Sequence, residues 1–306
     1  MSGIGDFIGK TALVTGASSG IGREFARIMA ERGSHLVVVA RNKKRLTEVA
    51  DQLKEKHGVN RNIEVVILDL VNPEAPQRLF EHLQKVKIHV DVLVNNAGFG
   101  NWSRFEEEPY EKTRQMNMVN MVNLASLCHL FIPPMLEKGG GGIINVASSA
   151  GFQPVPYMAN YAATKAFVMH FSLALWQEYL ERNITVTALC PGWTKTGFLE
   201  TAGIKDSDKT KNIIEPQQVV QEAIEAFLKG EPLIIPKAHR DLLQFTIAKF
   251  IPLKSKLDIT ATMFRPDDKK PKDKQETPEP EKVQGNDNSA PPPENPPEKP
   301  REQSGT

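Results

Sequence analysis

Tyr161 and Lys165 stand four residues apart in "NYAATKA", at the head of an apolar run. On a helix that spacing sets both side chains on one face, one turn apart. On a solvated surface the pair would be ordinary. In a cleft it is a phenol beside a fixed positive charge, which is a proton donor with a lowered pKa. The second stretch with chemistry in it is "TGASSGIG", where Gly16, Gly20 and Gly22 follow the spacing G-x-x-x-G-x-G. Glycines there let the backbone approach a pyrophosphate, and a helix N-terminus offers free N–H groups. Ser18 and Ser19 add hydroxyl donors. The spacing departs from G-x-G-x-x-G, so position must carry the reading: the turn follows the first strand and opens the first helix. The competing reading is a tight turn without a ligand. A third signal is "VVVARN", at the end of the second strand. NAD sites usually carry an acid at that point. Here Arg41 follows Ala40, and an arginine can pair with a 2′-phosphate, so NADP(H) is expected over NAD(H).

These residues need a scaffold. Short apolar runs at 11–15, 35–40, 63–69, 90–96, 142–148, 184–190 and 232–236 read as strands, several apolar throughout. Such runs suit strands buried on both faces of a parallel sheet. Helical segments are expected between them at 20–32, 42–57, 74–86, 109–136, 160–182 and 216–229. The alternation predicts an α/β fold: a single doubly wound Rossmann-type domain with a parallel sheet of about seven strands, over residues 1–236. A helical extension is expected over 237–264. The Pro-rich, charge-rich stretch 265–306 reads as a disordered tail, because it has too few apolar residues to offset its ordering entropy.

The 306 residues carry a net charge of +1, which leaves no global field to recruit nucleic acid. The two cysteines, Cys128 and Cys190, lie in apolar segments and read as reduced core residues, which fits the cytoplasm. The opening stretch lacks the pattern of a secretory leader. No run is expected to cross a bilayer, and no Cys/His cluster has metal-ligand spacing.

"TGASSGIG", "NNAG" (95–98), "NVASSAG" (145–151), "YAATK" (161–165) and "PGWTKTGF" (191–198) occur in that order. With them the chain resembles the short-chain dehydrogenase/reductase family over about residues 8–235. The resemblance implies Tyr161 as acid/base, with Lys165 holding the nicotinamide ribose and, together with the oxidised nicotinamide, lowering the phenol's pKa toward 7. It implies Ser148 as the residue that hydrogen-bonds the substrate carbonyl; Ser149 is the adjacent competitor, pointed elsewhere by strand alternation. The family's fourth member is an asparagine in the long helix. "RQMNMVNMVN" offers Asn117, Asn120 and Asn123, and the family pattern fits Asn117 best. Asp69 matches an adenine-contacting acid, and Asn95 an asparagine supporting the central strand and the adenosine side. Ala97 and Gly98 of "NNAG", and Ile21 of the glycine turn, join the implied cofactor site. Pro191, Gly192 and Thr196 match the loop that closes over the nicotinamide.

The resemblance implies an NADP(H)-dependent oxidoreductase that interconverts a carbonyl and a secondary alcohol, working as a reductase. The rival is a non-catalytic nucleotide-binding regulator or scaffold on the same fold; the intact Ser148–Tyr161–Lys165 set disfavours it. Phe99, Trp102, Phe152, Tyr157, Trp193 and Phe198 could form an apolar pocket for a lipid-like, steroid-like or 3-oxoacyl substrate. The helix "AFVMHFSLALW" (166–176) is apolar on nearly every side, which predicts a homodimer or homotetramer. In 237–256, Leu242, Leu243, Ile247 and Phe250 form a stripe flanked by cations, with Pro252 ending the helix. A pocket cap is expected there, and contact with an anionic membrane surface is the alternative.

Overall fold

The computed structural model describes residues 6–57, 62–204, 213–239 and 252–266. The chain divides into two units, Met1–Pro266 and Asp267–Thr306. The expected tail beyond Pro266, and the stripe from Leu242 to Phe250, lie outside the described residues.

Seven parallel strands form one sheet in the order β3-β2-β1-β4-β5-β6-β7. They are β1 (Thr11–Thr15), β2 (His35–Ala40), β3 (Ile63–Ile67), β4 (Val92–Asn95), β5 (Gly141–Val146), β6 (Ile184–Leu189) and β7 (Leu233–Ile234). Successive residues of a strand serve opposite cores. Ala12 and Val14 face one apolar cluster while Leu13 faces the other; Leu36 and Val38 alternate with Val37 and Val39. This two-sided burial is why the runs are apolar without a break. The first cluster is completed by α1 (Gly20–Glu31), α2 (Lys43–His57) and α8 (Pro216–Leu228), the second by α3 (Ala75–Lys85), α5 (Asn123–Glu137) and α6 (Ala159–Tyr179). Strand order reverses between β1 and β4, so a crevice opens at their carboxyl ends, where open α/β sheets bind ligands.

Two elements depart from expectation. The helix expected at 109–136 is α4 (Tyr110–Asn117), a π-helical turn at Met118–Val122, and then α5. A π turn adds a residue to the helical repeat and rotates everything after it. Beyond β7, Pro252 starts a helix rather than only ending one: it caps α9 (Leu253–Phe264). A proline's fixed φ suits the first turn of a helix as well as it breaks an interior one. Between β6 and α8 sits the short α7 (Phe198–Ala202).

The expectation that no run is apolar and long enough to cross a bilayer needs correction. Tyr110–Glu137 spans 28 residues with a window of mean hydropathy 1.4. Half of that window is buried within the fold, because α5 packs its apolar side on the sheet. Both cysteines are free and buried, and burial pushes each thiol up to about 12.

Candidate active site

A cavity of ≈1130 Å³ runs along the carboxyl ends of the strands. One end is lined by the glycine turn and Arg41, the other by the aromatic residues, and Tyr161, Ser148 and Lys165 lie in its wall.

The glycine turn is shaped by contact with its neighbours. Gly16 and Gly20 have φ of +67° and +54°. A Cβ on Gly16 would lie 2.7 Å from Asn96 Nδ2, and one on Gly20 2.9 Å from Thr196 Cγ2. Gly22 does not line the cavity. Its Cβ would come within 2.4 Å of the Gly16 carbonyl oxygen, so it is glycine because helix and turn touch. Ser18, Ser19, Ile21, Ala97, Gly98, Pro191, Gly192 and Thr196 all line the cavity, as does Asp69, whose carboxylate accepts the Val71 N–H at 3.0 Å.

Asn95 supports the central strand, as expected, but does not line the cavity. Its side chain is buried in the second core, where Nδ2 donates to Asn145 Oδ1 at 3.0 Å. The alternation of β4 turns it away from the crevice, and its neighbour Asn96 lines the cavity instead. Asn96 Nδ2 donates to the Thr15 carbonyl at 2.8 Å, while Thr15 Oγ1 accepts the N–H groups of Asn96 and Ala97, each at 3.0 Å. Thr15 and Asn96 thus join "NNAG" to the glycine turn. Arg45, one turn into α2, also lines the cavity with Arg41.

Ser148 ends the extended backbone after β5, with φ −168° and ψ 157°. Its Oγ accepts the Ala150 N–H at 3.1 Å. Tyr161 is buried, and burial pushes its phenol up to about 12, with a hydrogen bond to Ser148 pulling the other way. The expected fall toward 7 is therefore absent from the chain itself. Lys165 Nζ sits 5.8 Å from the phenol ring's centre and donates to the Val146 carbonyl at 2.8 Å. Burial lowers that ammonium to about 8.

Asn120, rather than Asn117, stands beside Lys165. The point where a Gly98 Cβ would sit is 3.0 Å from Asn120 Oδ1 and 3.4 Å from Lys165 Nζ. Asn120 Nδ2 donates to the Phe99 carbonyl at 3.0 Å and to Thr164 Oγ1 at 3.1 Å; its Oδ1 accepts the Phe99 N–H at 3.2 Å. The π turn presents Asn120 to this corner. Asn117 ends α4, and its Oδ1 is buried with no hydrogen-bond partner among the described residues. Asn123 instead holds the carbonyls of Leu70 and Asn72, at 2.7 and 2.9 Å.

At the other end, Phe99, Trp102, Trp193 and Phe198 line the cavity, and the Phe198 ring lies 5.2 Å from that of Tyr161. Phe152 and Tyr157 do not line it: Phe152 packs on the second core. Their places are taken by Val155, Met158 and Ile204, and by the last turn of α9. Phe264 stacks near Trp193 with ring centres 6.2 Å apart, and its carbonyl accepts from Trp102 Nε1 at 2.7 Å. The cap role expected of the extension falls to this helix.

A short-chain dehydrogenase family model matches residues 10–206. The chain belongs to the short-chain dehydrogenase family. An uncharacterized oxidoreductase of Staphylococcus aureus (strain USA300) is 32% identical over 217 residues, covering 71% of this chain and 90% of the relative. A very-long-chain 3-oxoacyl-CoA reductase of Bos taurus is 30% identical over 64% of this chain, which spans 62% of that relative's length. Among solved structures, a short-chain dehydrogenase from Sphingobium yanoikuyae in complex with NADPH superposes with a TM-score of 0.70 at 32% identity, covering 79% of this chain and 94% of that one. The bulky-bulky ketone specific alcohol dehydrogenase from Comamonas testosteroni gives 0.66 at 29% identity, covering 79% and 95%.

Proposed function

We propose that this chain is an NADP(H)-dependent reductase that converts an apolar ketone to a secondary alcohol, with Tyr161 as proton donor. The observation that carries the reading is the meeting of Tyr161, Ser148 and Lys165 in the wall of one cavity, between a glycine turn and an aromatic end.

The residues fit the cofactor. The glycine turn lines the cavity at the N-terminus of α1, where free backbone N–H groups can meet a pyrophosphate. Arg41 and Arg45 supply charge for a 2′-phosphate. The Lys165 ammonium has three N–H donors and gives one to Val146, so it can hold ribose hydroxyls with the rest. The NADPH complex of the Sphingobium relative supports the same choice.

When bound, the nicotinamide supplies the hydride. The chain's own residues orient the ketone and move the proton. Ser148 Oγ donates a hydrogen bond to the carbonyl oxygen and stabilises the charge developing there. The Tyr161 hydroxyl gives its proton to that oxygen. Burial keeps the phenol protonated at neutral pH, so the proton it gives is present before the ketone arrives. Asn120 fixes the loop after "NNAG" against α6 beside the lysine.

The substrate end is walled by Trp102, Trp193, Phe198, Met158, Val155 and Phe264, so a bulky or extended apolar ketone fits best. The named activities of the bovine and Comamonas relatives support that class. The apolar face of α6 also supports assembly into a dimer: Phe167 is 39% exposed and stacks on Phe171 at 5.6 Å.

Oxidation of NADPH with a panel of bulky aryl ketones and 3-oxoacyl thioesters tests the reading. Turnover is expected, and Tyr161→Phe is expected to lower it about 10²- to 10⁴-fold, the usual worth of a general acid, with NADPH binding kept. A Tyr161→Phe variant that retains most of the rate would refute the proton-donor role.

A further inference from the structure

His239 lies beyond the residues matched to the family and outside every motif read from the sequence. It is 2% exposed, in the turn after β7, where its own N–H donates to the Pro236 carbonyl at 2.8 Å. Its ring meets the backbone of two consecutive residues in the loop between β6 and α7. Nδ1 lies 2.9 Å from the Gly192 nitrogen, and Nε2 lies 3.0 Å from the Trp193 carbonyl oxygen. A peptide N–H can only donate, and a peptide carbonyl can only accept. The two contacts therefore set the imidazole as the neutral tautomer, with Nδ1 accepting and Nε2–H donating.

We propose that His239 is a positioning residue for the reaction, a clamp that sets the 191–196 loop before cofactor and substrate arrive. The inference rests on the reading that NADP(H) occupies the cavity. Pro191, Gly192, Trp193, Thr194 and Thr196 all line it. Other bonds hold the loop on either side: the Pro191 carbonyl accepts the Ser149 N–H at 2.9 Å, and Ile214 bridges Thr194 by donating to the Trp193 carbonyl at 3.2 Å and accepting the Lys195 N–H at 2.9 Å. None of these reaches the Gly192 N–H. The histidine spans Gly192 and Trp193 with one ring, from the side of β7. Glycine has more backbone freedom to lose than any other residue. Without the clamp, the entropy of ordering Gly192 would be charged to ligand binding.

Three variants of the full chain test this. His239→Asn keeps an oxygen near the place of Nδ1 and so keeps an acceptor for Gly192. His239→Gln keeps a nitrogen near the place of Nε2 and so keeps a donor for Trp193. His239→Ala keeps neither. NADPH affinity is read by fluorescence titration, and backbone mobility by hydrogen exchange of 191–196 against β1 and β5. His239→Ala is expected to bind NADPH about tenfold more weakly, the worth of about one hydrogen bond. Exchange should quicken in the loop and stay unchanged in the central strands, where a general loss of stability would quicken both. At least one of the two amide variants should recover part of the affinity and of the loop protection. Wild-type loop exchange and affinity in a folded His239→Ala would overturn the proposal. If His239→Ala does not fold, the amides decide: protection lost locally and unequally supports the clamp, and equal behaviour of the two overturns it. Failure of the wild-type protein to bind NADPH would defeat the cofactor reading, while loop exchange would still report on His239.

Discussion

Replacing Lys165 by methionine is expected to stabilise the cofactor-free fold while abolishing turnover. The lysine is 5% exposed, and burial lowers its ammonium from 10.5 to about 8. At about 1.4 kcal/mol for each pH unit, carrying that charge costs the fold about 3 kcal/mol. Methionine is close in length and needs no solvation. It leaves the Val146 carbonyl without the lysine's hydrogen bond, which returns about 1 kcal/mol of the gain. The net expectation at pH 7 is about 2 kcal/mol, or a rise of about 4–8 °C in Tm for a domain of this size. The pH dependence identifies the cause. The unfolded lysine titrates at its ordinary 10.5 and the folded one near 8. Below pH 8 both states carry the proton and the full cost is present. As pH rises through 8 to 10.5 the folded state has shed its proton while the unfolded state sheds its own, and the cost disappears. The wild-type protein should therefore gain about 3 kcal/mol relative to Lys165→Met across that window. Tyr161 and Cys128 titrate in both proteins and drop out of the difference, while Cys190, whose thiol the Lys165 charge pulls down against its burial, does not cancel in full at the alkaline end. Guanidinium denaturation of the pair at pH 7, 8, 9 and 10 measures it. A stability gap that stays constant over this range, or a variant less stable than wild type at pH 7, would refute the reasoning.

Arg41→Asp should weaken NADPH binding about 10- to 100-fold, as expected for charged hydrogen bonds to phosphate, and leave NADH binding nearly unchanged; titration of both cofactors checks it, and equal losses would contradict the 2′-phosphate role. Asn120→Leu should lower turnover at least tenfold more than Asn117→Leu, because only Asn120 bridges Phe99 and Thr164 beside Lys165; steady-state rates of the two variants decide. Gly22→Ala should cost about 1–3 kcal/mol by overpacking, since its Cβ would come 2.3 Å from Asn96 Nδ2 and 2.4 Å from the Gly16 carbonyl oxygen. A thermal melt would show the loss, and an unchanged Tm would mean that the turn yields more freely than its contacts imply.

What the amino-acid sequence determined by itself is local or periodic. Strands buried on both faces announce themselves as unbroken apolar runs, so the parallel sheet was legible before its order was known. The four-residue spacing of Tyr161 and Lys165 survives in α6 because helix geometry is the same everywhere. The glycine turn was legible for the same reason: its backbone demands leave few residue types. Three things were decided only by the tertiary structure. The π turn at Met118–Val122 changes the helical phase, and no residue pattern in "RQMNMVNMVN" marks it, so it was not legible that Asn120, rather than Asn117, reaches the corner beside Lys165. The exact end of β4 decides which of Asn95 and Asn96 faces the crevice, because one residue of register reverses every side chain. Contacts between distant segments leave no local trace. Trp102 meets Phe264 across 162 residues, and His239 meets Gly192 across 47. Sequence encodes each segment's preference for helix or strand through neighbours a few residues away. The walls of the cavity and the grip on its loop depend on which segments the folded sheet brings together, and that is a property of the whole packing.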